Sequence, residues 1–267
     1  MARDGSQPND RGAGGRTVTS HSTGTLYVVS MPIGHLDDIT LRALTTLRGA
    51  TVVVSEDPRV TQAFLEHHGI TATITSYGPF HRDEKIRLLL RRLEQGQHVA
   101  LVSDNGTPVI YDPGYLFVAA AHQAGIPVTV IPGPSTITAA AAISGFSGDA
   151  IIFAGQLPST SRRLAQYLSG LRKERSTLVF YVGRSSLCRL LKILAKILPT
   201  RHMTIAVDLT TNKEALFRGK PGELVDRIGP VSKDSAVTVI IEGYVRGSLR
   251  EPIGRRAPRT TRLRGGE

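Results

Sequence analysis

Cysteine occurs once in these 267 residues, at Cys188, and tryptophan does not occur at all. A single thiol excludes an internal disulfide and any cysteine-rich zinc centre. Aromatic residues make up 5% of the chain, too few for a surface that stacks successive bases. The apolar runs at 117–121 and 139–143 fall far short of the roughly 20 residues that a membrane span needs. The opening MARDGSQPNDRGAGGR contains no apolar stretch of the kind a secretory signal carries. No G-x-G-x-x-G follows the first apolar run, and no G-x-x-x-x-G-K-[ST] is present. Both a dinucleotide fingerprint and a P-loop are therefore disfavoured. The expectation is a soluble cytoplasmic protein.

What is abundant is positive charge. Lys and Arg total 33 against 22 Asp and Glu, a formal +11. Residues 246–267 alone contain seven Arg and two Glu. A basic body with a more basic tail favours a polyanionic partner, nucleic acid first. Apolar residues make up 40%, enough for a sizeable core, and the length suits two mid-sized domains at roughly 100–200 residues each. Residues 1–23 and 246–267 are rich in Gly, Ser, Thr, Pro and Arg without apolar periodicity, and are expected to be disordered.

Between the two ends, short apolar runs alternate with helical spacings. Strands are expected at 25–29, 51–55, 74–77, 98–103 and 127–131, with helices after each, the first led by Asp37, Asp38 or Thr40 as cap. This rhythm predicts an α/β domain with a parallel sheet over 24–146. After Gly145-Phe146-Ser147-Gly148 the rhythm changes. Strands at 151–155, 177–182, 203–207, 214–219 and 236–243 surround helices at 161–171, 185–198 and 221–228. Two strands near 205 and 216 sit a short turn apart, which predicts antiparallel pairing and a second, mixed α/β domain over 147–245.

In open parallel sheets, ligands bind beyond the carboxyl ends of the strands. Four such ends lead here into Ser30-Met31-Pro32-Ile33-Gly34, Glu56-Asp57-Pro58-Arg59, Ser103-Asp104-Asn105-Gly106-Thr107-Pro108 and Pro132-Gly133-Pro134-Ser135. Gly permits close backbone approach and Pro stiffens a loop, so the four together suit a cradle that holds a ligand by main-chain groups. No Lys or Arg lies in the first, third or fourth loop, while Glu56, Asp57, Asp104 and Asp112 are acidic. A neutral or cationic adenosine compound suits such a crevice, and S-adenosylmethionine, a sulfonium cation, is one.

The segments VSMPIGHLDDITLRAL, VSEDPRVTQAFL, LVSDNGTPVIYDPG and VIPGPSTITAA closely resemble the four loops of the tetrapyrrole methylase superfamily. Within it they are most similar to the bacterial ribosomal RNA small subunit methyltransferase I family. The resemblance runs in order and spacing from about Gly24 to Gly243. It implies a two-domain α/β methyltransferase, commonly a homodimer, with S-adenosylmethionine in the interdomain cleft. It also implies methylation of a cytidine 2′-hydroxyl in small-subunit (16S) ribosomal RNA, making ribosomal RNA or the small ribosomal subunit the partner. Carried over by residue, the cofactor set comprises Pro32, Asp104, Gly106, Thr107, Pro108, Ile110 and Ser135. From the second domain come Gly155, Leu157 and Pro158, and Leu209 and Thr210. The family's Phe-Tyr-Glu-Ser-Pro-His-Arg stands here as 180–186, with Val182 in place of Glu, and Val207 replaces an Arg.

Taking a proton from a hydroxyl requires a base within hydrogen-bond reach. The candidates are Glu56, Asp57 and Asp104, with Arg59 placing a phosphate; alternatively Asp104 only orients its loop, and Glu56 and Asp57 cap the helix after Pro58. Arg189, Lys192 and Lys196 form one basic stripe, and Arg162, Arg163, Arg172, Lys173 and Arg175 form a second cluster. His67 and His68 read as surface residues, since adjacent helical positions point apart and no third ligand is spaced nearby, so no metal is expected. Cys188 reads as a core residue of its helix. Two other readings stay open: a methylase of a tetrapyrrole or other small molecule, and a diverged, non-catalytic cofactor-binding module, which Val182 and Val207 favour.

Overall fold

A computed structural model describes residues 22–77, 82–228, 232 and 235–245. The two expected disordered ends lie almost wholly outside the described residues. The chain divides into two compact units between Ser135 and Thr136.

The first unit is a five-stranded parallel sheet. Its strands are β1 (Leu26–Val29), β2 (Val52–Ser55), β3 (Ile74–Ser76), β4 (Val99–Val102) and β5 (Val128–Ile131), in the order β3-β2-β4-β1-β5. Helices α1 (Leu41–Gly49), α2 (Pro58–His67), α3 (Arg82–Glu94) and α4 (Tyr115–Gln123) make the connections. Side chains alternate across the sheet with the strand period of two. Val52, Val54, Val99 and Leu101 point to one face and pack with Leu89 and Leu93 of α3 and Phe117 of α4. Val53, Ala100 and Val102 point to the other and pack with Leu47 of α1 and Phe64 and Leu65 of α2. Full burial of each large side chain contributes about 1.5–3 kcal/mol. Both faces are covered over β2 and β4, which is why these strands read as continuous apolar runs.

Local chemistry sets the helix starts. Thr40 caps α1 by accepting from the Ala43 N–H, and Asp57 caps α2 by accepting from the Arg59 N–H. Pro58 stands at the first helical position, where no N–H is missed.

The second unit is a mixed sheet. Strands β6 (Ile151–Gln156), β7 (Thr177–Tyr181), β8 (Met203–Val207), β9 (Ala215–Gly219) and β10 (Val237–Ile241) run in the order β6-β7-β10-β8-β9. β8 and β9 pair antiparallel, as their short connection predicts. Helices α6 (Ser161–Gly170), α7 (Arg184–Ile197) and α8 (Pro221–Arg227) bury Leu164, Leu168, Leu187, Leu190, Leu194 and Leu224 against one face. Helix α5 (Thr136–Ser144) packs on β7, β8 and β10. It belongs with the second sheet, so the units part before α5 and not after Phe146. An Ala-rich helix carries no signal of which sheet it will cover.

One further expectation changes, and one buried charge appears that no sequence feature marks. Cys188 is exposed, because on α7 it shares a face with the exposed Lys192 one turn on, not with Leu187 and Leu191. Arg201 is buried; its guanidinium donates to the carbonyls of Glu242, Leu171 and Glu174 and ties the entry of β8 to two other segments.

Candidate functional site

All five strands of the first unit are parallel, so the loops after β1, β2, β4 and β5 emerge at one edge. They are bonded to each other. The Met31 N–H donates to the Gly106 carbonyl (2.8 Å) and the Gly106 N–H to the Pro32 carbonyl (3.2 Å), joining the first loop to the third. Thr107 Oγ1 lies 3.0 Å from Ser30 Oγ and donates to the Pro134 carbonyl, bringing in the fourth loop. The Asp57 N–H donates to Asp104 Oδ1 (3.0 Å), bringing in the second. Ser103 Oγ closes the third loop on itself by donating to the Gly106 carbonyl.

Close approach explains the glycines. A Cβ on Gly133 would stand 3.0 Å from Ser30 Cβ. Gly106 has φ +75°, and its Cβ would meet Ile33 Cγ2 at 3.2 Å. Beyond it, Val109 (φ 75°) and Tyr111 (φ 61°) take the same left-handed backbone without being glycine. Such conformations cost about 1–3 kcal/mol each and gather at functional sites.

The carboxylates of this edge form an electronegative set. Burial, then Asp112 and Asp104, hold the Glu56 carboxyl above its ordinary pKa. Burial likewise raises Asp104; the hydrogen bond from the Asp57 N–H opposes it, and Asp57 and Asp112 add to it. Asp112 Oδ1 accepts from the Tyr77 hydroxyl (2.8 Å) and from the Gly114 N–H (2.6 Å). Its Oδ2 is buried with no hydrogen-bond partner among the described residues. Burial, then this bond to Asp112, pushes the Tyr77 phenol far above its usual value. Glu56 and Asp104, each raised by burial and by neighbouring carboxylates, make with Asp112 a place where a cation is stabilised.

The candidates divide by environment. Glu56 and Asp104 belong to the electronegative set. Asp57 is held below the usual carboxylate range, chiefly by its hydrogen bond from the Arg59 N–H, and its carboxylate is engaged in the cap and with the exposed Arg59 guanidinium at 3.4 Å. Pro32, Gly106 and Pro108 are buried, Thr107 and Ser135 half-buried and Ile110 exposed. Sequence singles out Asp112 only as one acidic loop residue, and Tyr77 only as the end of a weak strand. A short distance from β3 to the loop after β4 is a tertiary fact that neither spacing carries.

In the second unit, Gly155 (φ 58°) sits where the β6–β7 register shifts between Phe153 and Gln156. Leu157 and Pro158 follow, and line a cavity of about 360 Å³ with Tyr181, Gly183, Ser185, Ser186 and Arg189. Leu209 is buried, and Thr210 (φ 64°) donates its N–H to Glu214. The Asp208 carboxylate accepts from the Ala236 N–H and the Ser235 hydroxyl, fixing the end of β8 to the start of β10. Val182 and Val207 belong to the apolar core. The stripe and cluster of basic residues are exposed, except for half-buried Arg189. Among the described residues no helix is long and apolar enough to cross a membrane.

The family model described as Tetrapyrrole (Corrin/Porphyrin) Methylases matches residues 25–225. The ribosomal RNA small subunit methyltransferase I of Thermotoga maritima is 37% identical over 220 residues, which cover 82% of this chain and 99% of that protein. Its counterpart in Escherichia coli O157:H7 is 35% identical over 227 residues, 84% of this chain and 79% of that one. Solved structures share the fold at lower identity. A cobalt precorrin-4 methyltransferase aligns with TM-score 0.62 and 18% identity, over 82% of this chain and 94% of that one. Uroporphyrin-III C-methyl transferase from Thermus thermophilus, complexed with S-adenosyl homocysteine, aligns with TM-score 0.56 and 22% identity, over 82% and 97%.

Proposed function

The chain belongs to the tetrapyrrole methylase family and, within it, to the ribosomal RNA small subunit methyltransferase I family, and from that premise we propose that it methylates the 2′-hydroxyl of a cytidine in small-subunit ribosomal RNA. The observation that carries the proposal is the 37% identity spanning 99% of a relative of that name. We extend it to a cytoplasmic homodimer whose partner is the RNA or the small ribosomal subunit.

S-adenosylmethionine, when bound, supplies an electrophilic methyl group on a positively charged sulfur. The first unit fits a ligand of that charge. Glu56, Asp104 and Asp112 are acidic, the buried Asp112 Oδ2 has no hydrogen-bond partner among the described residues, and the loops of Pro32, Gly106–Pro108 and Ser135 carry no basic side chain. These residues and Ile110 would hold the cofactor; Gly155, Leu157, Pro158, Leu209 and Thr210 are the second unit's candidates.

Orienting the acceptor oxygen contributes much of the rate of such a transfer. Asp104 is the residue we assign to the acceptor proton: its pKa is raised, which strengthens it as a base, and the bond from the Asp57 N–H holds it in place. Glu56 is the alternative base. Asp57 positions Asp104 through its backbone and Arg59 through its carboxylate, leaving the exposed Arg59 guanidinium for a phosphate.

The test incubates the protein with small subunits and methyl-labelled S-adenosylmethionine, then identifies the modified nucleoside by mass spectrometry. 2′-O-methylcytidine at one position is expected, and its loss in Asp104→Asn. Val182 and Val207 within the core favour one second reading, a cofactor-binding module without turnover. Saturable cofactor binding with no transfer to RNA would support that reading instead.

A further inference from the structure

We propose that Asp37, His67 and His68 form a divalent-metal site, of the class zinc occupies, that pins the turn after β1 to the end of α2. The three side chains each bring one ligand atom into a group whose members all lie within 4.8 Å of one another. Asp37 comes from the turn before α1, and His67 is the last residue of α2. His68 is the C-cap, at φ −95° and ψ 10°. Helical geometry would send adjacent side chains about 100° apart. His67 and His68 nonetheless turn their rings toward each other, edge to face with centroids 4.8 Å apart.

The chemistry fits a borderline cation. Two imidazoles and a carboxylate are zinc ligands, with bonds of about 2.0–2.2 Å. In a tetrahedron those bonds set ligand atoms about 3.3 Å apart. His67 Nε2 and Asp37 Oδ1 already stand 3.2 Å apart. His68 Nε2 lies 3.1 Å from the Leu36 carbonyl. A carbonyl only accepts, so Nε2 carries the proton and neutral His68 keeps its lone pair on Nδ1. A backbone partner that fixes the tautomer in this way is the usual support of a metal-binding histidine. Phe64 holds the His68 ring, with centroids 4.6 Å apart. A surface ion pair between Asp37 and His67 would need neither His68 nor its fixed tautomer. Three protein ligands leave one position for water.

The site rests on none of the residues assigned to methyl transfer, so it stands or falls separately from that reading. It does touch their scaffold, since the turn containing Asp37 continues the loop of Pro32, and α2 begins at Asp57 and Pro58.

The full chain, purified without a histidine tag and stripped with chelator, is titrated with zinc by calorimetry and with cobalt(II) by visible absorption. One ion per chain is expected, with affinity reduced at least tenfold in Asp37→Ala and in His67→Gln and unchanged in His122→Ala, an exposed histidine on α4. Both altered side chains are exposed. The variants' unfolding midpoints without metal should match the native protein's, and zinc should raise only the native one. No stoichiometric uptake, or uptake that survives both substitutions, overturns the proposal.

Discussion

Gly106→Ala tests whether the cradle depends on one backbone conformation. Gly106 has φ +75° and exchanges backbone hydrogen bonds with the loop after β1, accepting from the Met31 N–H and donating to the Pro32 carbonyl. Alanine held at that φ costs about 1–2 kcal/mol. The added methyl would stand 3.2 Å from Ile33 Cγ2, a half-buried side chain that can shift, so crowding adds little. If the backbone instead relaxes to negative φ, it gives up those two bonds, worth about 1 kcal/mol each. Either route costs about 1–2 kcal/mol, or roughly 2–8 °C in unfolding midpoint for a unit of this size. Relaxation would also open the join between the first and third loops, so cofactor affinity measured by calorimetry should fall along with stability. Gly49→Ala in the same unit is the control. Gly49 ends α1 with nothing within 4 Å of the new methyl and no positive φ, so alanine should stabilise by about 0.5 kcal/mol. A Gly106→Ala protein as stable as the native one, with unchanged cofactor affinity, would refute the reasoning.

Three further outcomes are expected. Glu56 and Asp104 have raised pKa values in the folded protein. Their ionisation therefore opposes folding, and their contribution to the apoprotein's stability should fall as pH rises from their ordinary values, 4.5 and 3.8, through the raised ones, so that Glu56→Gln with Asp104→Asn removes that fall. A bound cation favours the ionised forms, so S-adenosylmethionine affinity should weaken as pH falls through that window, more steeply than affinity for the uncharged thioether S-adenosylhomocysteine; equal slopes in calorimetry would count against the electronegative set. Arg201→Met removes the guanidinium from the carbonyls of Glu242, Leu171 and Glu174, of which Leu171 and Glu174 keep the N–H groups of Glu174 and Tyr244, and should cost about 1–3 kcal/mol in urea unfolding, while a loss under 1 kcal/mol would mean that water replaces the guanidinium. Removing residues 246–267 takes away seven arginines; affinity for small-subunit RNA should then fall with a shallower dependence on salt concentration, and an unchanged slope would exclude the tail from phosphate contact.

β2 and β4 were legible because both of their faces are covered, so they appear as the runs Val52–Val54 and Val99–Val102. The four loops followed from them, since a parallel sheet delivers every strand end to one edge. What sequence could not supply depends on distance in three dimensions. Asp37 and the histidine pair are thirty residues apart and meet only because the turn after β1 passes the end of α2. Nothing in the sequence marks Arg201 as buried, because the three carbonyls that hold it come from positions 171, 174 and 242. Cys188 reads as core because its neighbours are leucines, yet one position's rotation along α7 places it on the face of Lys192.

The position of β1 has a consequence for synthesis. Of the five strands of its sheet it is made first, yet it lies inside the sheet, with Leu26 paired to Val99 on one side and Val128 on the other. No hairpin can shelter it early, and β2, the next strand to emerge, is not its neighbour. At about 5–20 residues per second, translation takes roughly 5–20 s to proceed from β1 to the end of β5. Throughout that interval the apolar segment Leu26–Val29 must wait on a nascent chain whose sheet cannot yet close, exposed to whatever chaperones attend the ribosome.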